Sequence, residues 1–471
     1  MDAASVPAYV DGADLARATR RGLRRRGLHR PLAAGRSTDE RGRALARPLL
    51  PIRRSAGPHR CGHGTDADRR AAGPLFTHTT KSPDEPGRFT NIMKILKLTA
   101  SLTLGGAERL ILTHCRVMAL DGREGEELEH HLCAFGNDSV FGPGTLLSEA
   151  KALPVSVKLV RTKFRYNPQA TLEIYRYIRD HRFDVIHTDL ASADILGNLM
   201  GALQGIPVIC TLHNVPEGYR AARCDIRFLF ERLVLSRATT LVALSNGIRK
   251  MWIDEEGIPG ERIVSIPNCA DTASFLSISA PRPNRDAGAP LITAVGRLEP
   301  QKAFDDLLRA AALLLAEVPA ARFRIVGWGK LESELKSLAG SLGIASRVEF
   351  TGLRSDMDAV LEEADLFVQS SHWEGMSIAV IEAMAAALPM VLTDVGANGD
   401  LITDGVHGRL VPRGDPRAMA DAMVAMLADP SRAQRMGLAA RRRAIDEYGT
   451  HSYRRRYLAL YGQVVTRARA G

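Results

Sequence analysis

From Met93 onward the sequence alternates short apolar runs with segments of helical periodicity, and no other feature constrains the fold of this 471-residue chain as strongly. Strands that are apolar along their whole length are typical of a parallel sheet covered by helices on both faces. Their alternation with helices indicates the α/β class. The strands predicted in the first half are Lys94–Leu98, His131–Ala134, Val155–Leu159, Val185–His187, Pro207–Leu212, Thr240–Ala243 and Ile263–Ile266.

A stretch rich in Ser, Pro, Arg, Asn and Gly interrupts the alternation at residues 277–290, after which the alternation restarts. This break predicts two doubly wound domains, residues 93–276 and 291–448, joined by a linker. A last helix, residues 449–471, is expected to cross back onto the first domain. Because open α/β sheets bind ligands beyond the carboxyl ends of their strands, we expect a binding cleft where the two sheets face each other. The strands predicted in the second domain are Leu291–Val295, Arg322–Val326, Val348–Phe350, Leu366–Gln369, Met390–Thr393 and Gly408–Val411.

The formal net charge of +10 belongs to an Arg-rich leader, residues 1–92, and not to the two predicted domains. The leader holds 18 Lys and Arg against nine Asp and Glu, which leaves 45 against 44 in the rest of the chain. The balanced remainder argues against binding of nucleic acid through overall charge. Disorder is the simplest prediction for the leader, and a nucleic-acid-binding arm or an untranslated segment are the alternatives. We expect the functional protein to begin at or near Met93.

The six cysteines form no Cys-x-x-Cys pair and have no ligand spacing with the histidines. We therefore expect reduced thiols in the protein core and a cytoplasmic location. No apolar run reaches the roughly 18 residues that a membrane-spanning helix requires, so none is predicted.

Three glycine-containing segments follow predicted strands at the expected cleft. Gly105 and Gly106 follow the first strand and open a helix, where free N–H groups favour an anion, although a tight turn alone also needs a glycine. The segment lacks the third glycine and the acid of a dinucleotide fingerprint. Gly296 is followed by Arg297 and Lys302, two cations that suit a diphosphate or, alternatively, are simply solvated. Gly327 and Gly329, in Gly-Trp-Gly-Lys, indicate either a turn or close passage of a nucleoside.

Two glutamates eight residues apart, Glu374 and Glu382, form the stronger pattern. If a helix begins near Ser377, Glu374 lies in the loop before it and Glu382 lies one to two turns inside. The helix is otherwise apolar, and a buried carboxylate without partners is costly. Hydroxyl groups of a ligand would supply those partners, whereas the plain alternative is a charge at the helix end and a chance surface glutamate.

These motifs, taken in order, resemble a retaining glycosyltransferase of family 4, which has the two-domain GT-B fold. The resemblance covers essentially all of residues 93–471. It rests on Gly-Gly-Ala-Glu from Gly105, Gly-Arg-Leu-x-x-Gln-Lys from Gly296, Gly-x-Gly from Gly327, the pair from Glu374 to Glu382, and Thr393–Gly399. Ala303 and Ala397 replace glycines that are usual in the family, and neither change removes a charge.

The resemblance implies a role for each candidate residue. Arg297 and Lys302 would bind the donor diphosphate, Glu374 the transferred sugar, and Glu382 the ribose hydroxyls. His213 would face the donor sugar, and with Glu374, Arg297 and Lys302 it makes up the predicted catalytic set. The other predicted donor-binding residues are Gly105, Gly106, Gly296, Gly327, Gly329, Gly375, Met376, Ser377, Gly396 and Asn398.

The implied reaction moves a hexose from a nucleoside-diphosphate sugar to an acceptor hydroxyl, with retention and without a metal or other cofactor. The expected acceptor is a saccharide or a lipid-linked molecule of polysaccharide, lipopolysaccharide or glycolipid synthesis. The basic, aromatic segment Lys158–Tyr166 would contact anionic lipid head groups at the inner face of the membrane or a phosphate of the acceptor; the alternative is a solvated loop. No nucleic-acid partner is expected. The alternatives are a GT-B nucleotide-sugar 2-epimerase and a non-catalytic sugar-nucleotide-binding protein.

Overall fold

The computed structural model describes residues 92–103, 105–119, 128–142, 145–163, 167–213, 234–278 and 289–470. Parts of the sequence-based predictions lie outside these ranges, namely the leader up to residue 91, most of the linker, Cys61, Cys224 and residues 164–166 of the basic segment.

Seven strands of the first half form one parallel sheet. In chain order they are β1 (Met93–Thr99), β2 (Leu128–Gly136), β3 (Ser156–Arg161), β4 (Val185–Asp189), β5 (Val208–Leu212), β6 (Thr240–Ala243) and β7 (Ile263–Ser265). Their order across the sheet is β3-β2-β1-β4-β5-β6-β7, so β4 lies at the centre between β1 and β5.

Capping residues explain the ends of two helices of the first half. Asn167 accepts hydrogen bonds from two backbone N–H groups at the start of one helix, whose first residue is Pro168. Ser245 caps another, which ends at Gly257 in the left-handed conformation. Within the described ranges, the α-helices of this half are α1 (Gly106–Met118), α2 (Asp138–Phe141), α3 (Leu147–Lys151), α4 (Pro168–His181), α5 (Ala191–Gln204) and α6 (Asn246–Glu256).

Six further strands form the second parallel sheet, in the order β10-β9-β8-β11-β12-β13. These strands are β8 (Leu291–Val295), β9 (Arg322–Val326), β10 (Val348–Gly352), β11 (Leu366–Gln369), β12 (Met390–Thr393) and β13 (Arg409–Val411). The helices of this half are α7 (Phe304–Glu317), α8 (Glu332–Ser341), α9 (Met357–Glu363), α10 (Ile378–Ala385), α11 (Asn398–Leu401), α12 (Pro416–Ala428) and α13 (Pro430–Tyr448). Each long connection returns the chain to a parallel strand, as a doubly wound sheet requires.

The last helix, α14 (Thr450–Ala470), packs on the first sheet and not on the second. Its buried Tyr453, Tyr457 and Tyr461 lie in one apolar cluster with Ile95 of β1 and Val185 of β4. The opposite face of β1, which carries Leu96 and Leu98, belongs to a different cluster that includes α4 and α5 residues. One side of the first sheet is therefore covered by the end of the chain.

The predicted fold class is confirmed, including the strands of both sheets and the helix that returns to the first. The domain limits drawn from the sequence remain predictions. Ser245 and Gly257 are suitable start and stop signals for helix α6. Four cysteines in the described part of the chain are free and buried, as expected (Cys115, Cys133, Cys210 and Cys269). No helix in the described ranges is both long and apolar enough to cross a membrane.

Candidate active site

An ion pair between Lys302 and Glu374 joins two loops at the carboxyl edge of the second sheet. Lys302 follows β8, and Glu374 follows β11. The Ser371 hydroxyl donates to Oε1 of Glu374 at 2.6 Å, and the side chains of Lys302 and Glu374 are 14% and 6% exposed. A cation and a carboxylate are thus held together, largely out of water, where open α/β sheets bind their ligands.

Further hydrogen bonds connect the two loops. The Ser370 hydroxyl donates to the carbonyl of Lys302 at 2.8 Å, and the N–H of His372 donates to the carbonyl of Gln301 at 2.8 Å. The Gln301 amide donates in turn to the carbonyl of Trp373 at 3.0 Å. The position of Lys302 relative to Glu374 is therefore set by the backbone as well as by the ion pair.

A left-handed residue, Ala303, ends the short 3₁₀ turn Pro300–Lys302 and begins α7. Its φ of 47° lies in the region where glycine is favoured, and the family usually has glycine at this place. The methyl group of Ala303 is buried, and the left-handed backbone is less favourable for alanine than for glycine. Ala303 nevertheless adopts this conformation in the turn that carries Lys302.

Two predicted donor-site glycines allow loops to contact each other through their backbones. A Cβ atom on Gly327 would stand 1.9 Å from the carbonyl oxygen of Gly296, and one on Gly396 would stand 1.9 Å from that of Glu374. Both residues have positive φ, 143° and 53° respectively. Local packing therefore accounts for these glycines whether or not a donor contacts them.

Glu382 lies within α10, as predicted from the spacing, and Glu374 lies in the loop before that helix. Burial raises the pKa of Glu382 to about 7, while the positive charge of Arg109 acts in the opposite direction. Arg109 lies in the first turns of α1, directly after Gly105–Glu108, so the first half of the chain contributes a charge to this site. Sequence reasoning missed Arg109, whose only signal was its place in the helix that opens with the double glycine.

His213 follows β5 and lies where the two halves meet. A Cβ atom on Gly375 would stand 2.7 Å from the carbonyl oxygen of His213, which places His213 beside the loop of Glu374. The His213 imidazole is bound through Nε2 to Oδ1 of Asp189 at 2.8 Å. Sequence reasoning did not single out Asp189. Its signal was a carboxylate at the carboxyl end of an apolar strand.

Other predicted donor-binding side chains are engaged within the protein. Asn398 donates to Oε1 of Gln369 at 2.8 Å, and Ser377 accepts from the amide of the same Gln369 at 2.9 Å. The carbonyl of Met376 accepts from Asn268 at 2.9 Å. These contacts brace the loop after β11, and any part these residues play in donor binding remains a prediction.

Arg297 and the first double glycine remain open to ligand. Arg297 is exposed, and its guanidinium lies 3.4 Å from Oε1 of Gln301. A Cβ atom on Gly106 would meet nothing within 4 Å, whereas one on Gly105 would meet the Glu108 carboxylate at 2.1 Å. A Cβ atom at Gly105 would therefore displace only the end of the flexible Glu108 side chain, so local packing does not require glycine at either position.

Comparison with known proteins places this geometry in a class. The Glycosyltransferase Family 4 model matches residues 104–274, and the Glycosyl transferases group 1 model matches residues 289–429. The fold is also that of the solved Anabaena Alr3699/HepE in complex with UDP and glucose, with a TM-score of 0.66 at 19% identity over 79% of this chain and all of that one. The fold and the matched models define a glycosyltransferase of the GT-B type.

Curated relatives identify the family more closely. The chain is 30% identical over 308 residues to D-inositol 3-phosphate glycosyltransferase of Thermobispora bispora, which covers 61% of this chain and 72% of the relative. It is 28% identical over 280 residues to the Escherichia coli UDP-Gal:alpha-D-GlcNAc-diphosphoundecaprenol alpha-1,3-galactosyltransferase, and the matched region covers 55% of this chain and 70% of that relative. It is 29% identical to the Phosphatidyl-myo-inositol mannosyltransferase of Mycolicibacterium smegmatis, and the matched region covers 69% of this chain and 82% of that relative. The protein belongs to glycosyltransferase family 4.

Proposed function

We propose that the protein transfers a hexose from a nucleoside-diphosphate sugar to an acceptor hydroxyl, with retention of the anomeric configuration. The observation that carries this proposal is the Lys302–Glu374 pair at the carboxyl edge of the second sheet. In the free protein the two charges neutralise each other. A donor diphosphate offers Lys302 a second anionic partner and leaves Glu374 beside the sugar.

In this reaction the bond between the anomeric carbon and the diphosphate oxygen breaks, and the acceptor oxygen attacks that carbon from the same face. The acceptor proton leaves with the departing phosphate oxygen. Negative charge grows on the diphosphate as the bond breaks, so a cation already in place stabilises the transition state more than the substrate. Lys302 is suited to this role because its partly buried position limits screening by water.

A uridine nucleotide is the donor that we propose to test first. The Escherichia coli relative is named for UDP-Gal, and Alr3699/HepE was solved with UDP and with UDP-glucose. We further propose that transfer needs no divalent metal, because Arg297 and Lys302 supply positive charge for the diphosphate. Transfer that is unchanged in excess EDTA supports this, and loss of transfer that Mg²⁺ or Mn²⁺ restores contradicts it.

The acceptor that we propose carries a phosphate group and is presented at a membrane surface. The names of the three relatives above each contain a phosphorylated acceptor, a diphosphoundecaprenol, an inositol phosphate or a phosphatidylinositol. In the basic segment at the end of β3, Lys158 pairs with Glu173 at 2.6 Å, and the Arg161 guanidinium lies 5.5 Å from the centroid of the Phe141 ring, whereas Lys163 is exposed. Lys163 is therefore the better candidate for an acceptor contact.

The test is release of nucleoside diphosphate with and without acceptor, using Lys302→Ala and the matched surface variant Lys336→Ala on α8. Removing one preorganised charge of this kind costs about 10²- to 10³-fold in rate, so K302A should lose that much while K336A stays at the wild-type rate. Release that depends on acceptor distinguishes transfer from epimerisation and from binding alone. The anomeric proton signals of the product report retention or inversion. Wild-type rates in a correctly folded K302A variant would overturn the proposal.

A further inference from the structure

A buried ion pair in the first sheet leads directly to His213. Nζ of Lys97 on β1 lies 2.6 Å from Oδ2 of Asp189 on β4, and each side chain is only 2% exposed. The other oxygen of Asp189 lies 2.8 Å from Nε2 of His213. Two side chains from neighbouring strands and one from the loop after β5 thus form a continuous line from the interior of the sheet to the cleft.

The register of the strands explains why these residues meet. β1 and β4 pair Lys97 with His187 and Thr99 with Asp189, and β4 and β5 pair Asp189 with Thr211. Because side chains alternate along a strand, Lys97, His187, Asp189 and Thr211 share one face. This is the face that α14 covers, and His187 binds Thr211 at 2.7 Å and the hydroxyl of Tyr461 on α14 at 2.7 Å. The row of polar groups is therefore buried beneath α14, each of its four residues being 3% exposed or less, and His213, with a side chain 8% exposed, follows at its end.

Of the four residues in this row, Lys97 and Asp189 are the charged pair. Burial acts to raise the pKa of Asp189, but the positive charge of Lys97 and the hydrogen bond from His213 hold that pKa below its usual range. Burial, together with the charge of Lys97, keeps the pKa of His187 well below its ordinary value, so His187 is neutral. Lys97 thus balances the carboxylate that His213 contacts.

A buried ion pair contributes little to stability when a well-packed apolar pair can replace it. The contact between Asp189 and His213 suggests a functional role for the Lys97–Asp189 pair instead. We propose that Asp189 is a positioning residue of the transfer reaction, which accepts the Nε2–H of His213, sets the orientation of the ring and leaves Nδ1 for the donor sugar, while Lys97 keeps Asp189 ionised. In the neutral ring, Nδ1 then accepts a hydrogen bond from a sugar hydroxyl. This inference rests on the proposed function, in which His213 faces the donor.

The sharpest test replaces both charges at once. The double variant Lys97→Met/Asp189→Leu removes the ion pair without leaving a single buried charge, and we expect it to fold. Its kcat should fall about tenfold or more, since one charge-assisted hydrogen bond that orients a reacting group is lost. Asp189→Asn is the single, isosteric variant, and Ile95→Val, on the same strand and face, is the control for loss of packing. Full kcat in the double variant would overturn the proposal.

The His213→Ala variant, which lacks the imidazole ring, shows whether Asp189 acts through His213. In His213→Ala, the further change K97M/D189L should have no additional effect on kcat, because the residue that is positioned is gone. Equal losses with and without His213 would show a merely structural pair and overturn the proposal. Nitrogen NMR of labelled histidine gives a readout that needs no activity. The free wild type should hold His213 in the Nε2–H tautomer, and K97M/D189L, which has no acceptor at position 189, should lose that preference.

The two readouts separate the failures of the two proposals. A wild type that transfers no sugar but holds the Nε2–H tautomer contradicts the proposed function and leaves the role of Asp189 in orienting the ring intact. A wild type that transfers sugar, but whose His213 tautomer is the same in K97M/D189L, contradicts the role of Asp189 alone.

Discussion

Glu382 makes the stability of the protein depend on pH, and Glu382→Gln tests this dependence. Burial raises the pKa of Glu382 from 4.5 to about 7, even though the charge of Arg109 opposes the rise. One pKa unit corresponds to about 1.4 kcal/mol. Keeping the ionised carboxylate in the folded protein above pH 7 therefore costs about 3 kcal/mol, a large part of the stability of an ordinary domain.

The sign follows from proton binding. Between about pH 4.5 and 7 the folded protein holds a proton on Glu382 that the unfolded chain has released, so the free energy of unfolding falls as the pH rises through this window. Below about pH 4.5 Glu382 is protonated in both the folded and the unfolded protein, and the free-energy cost of its burial in the ionised form disappears. Glutamine has the shape of the neutral acid and cannot ionise. The E382Q variant should thus equal the wild type near pH 4 and exceed it by up to about 3 kcal/mol above pH 7.

Urea denaturation at a series of pH values measures this difference, and Glu334→Gln on the exposed side of α8 is the matched control, expected to follow the wild type at every pH. Donor binding by calorimetry supplies the second half of the prediction. If ribose hydroxyls bind the carboxylate, the donor should bind wild type more tightly as the pH rises through about 7, and E382Q should bind it more weakly. A difference in stability between E382Q and wild type that is the same at pH 4 and pH 8 would refute the reasoning.

Three other changes have defined outcomes. Gly396→Ala should lower the free energy of unfolding by at least about 1–2 kcal/mol and reduce the rate of transfer, because Gly396 has a left-handed backbone and a Cβ atom there would meet the carbonyl oxygen of Glu374. Urea denaturation and initial rates measure these two effects. An unchanged urea denaturation curve contradicts the prediction. Gly106→Ala should leave the melt almost unchanged, since its Cβ enters open space, and should raise the KM for donor only if the donor lies against α1. Asn167→Ala should cost about 1 kcal/mol in a urea melt through loss of the helix cap, without any change in KM.

Much of the fold could be predicted because the strands of a parallel sheet are apolar throughout and interrupted by helices. Thr240–Ala243 and Met390–Thr393 were predicted with the bounds that the structure has. Helix α6 is harder to recognise from the sequence, because its apolar positions, such as Ile248 and Trp252, are few among charged residues. Its capping residues are a more reliable signal there than its periodicity.

The candidate site was predictable in part for the same reason. Residues just after parallel strands gather at one edge of a sheet, so Lys302 and Glu374 could be expected near each other from their places in the chain alone. Lys97 could not be recognised, because a single lysine inside an apolar run has no distinguishing pattern. Its contact with Asp189 depends on the pairing of β1 with β4, which no local feature of either strand specifies.

By itself, the sequence determined the α/β class, the two successive sheets and the loops on which the chemistry depends, since these follow from local periodicity and from the position of residues after strands. Only the tertiary structure decided which groups share an environment. It brought Arg109 of the first half to Glu382 of the second and set His213 against Asp189. It also covered with α14 the face of the first sheet that carries Lys97 and Asp189. Burial and proximity control these pKa values and ion pairs, and both arise only when distant segments pack together.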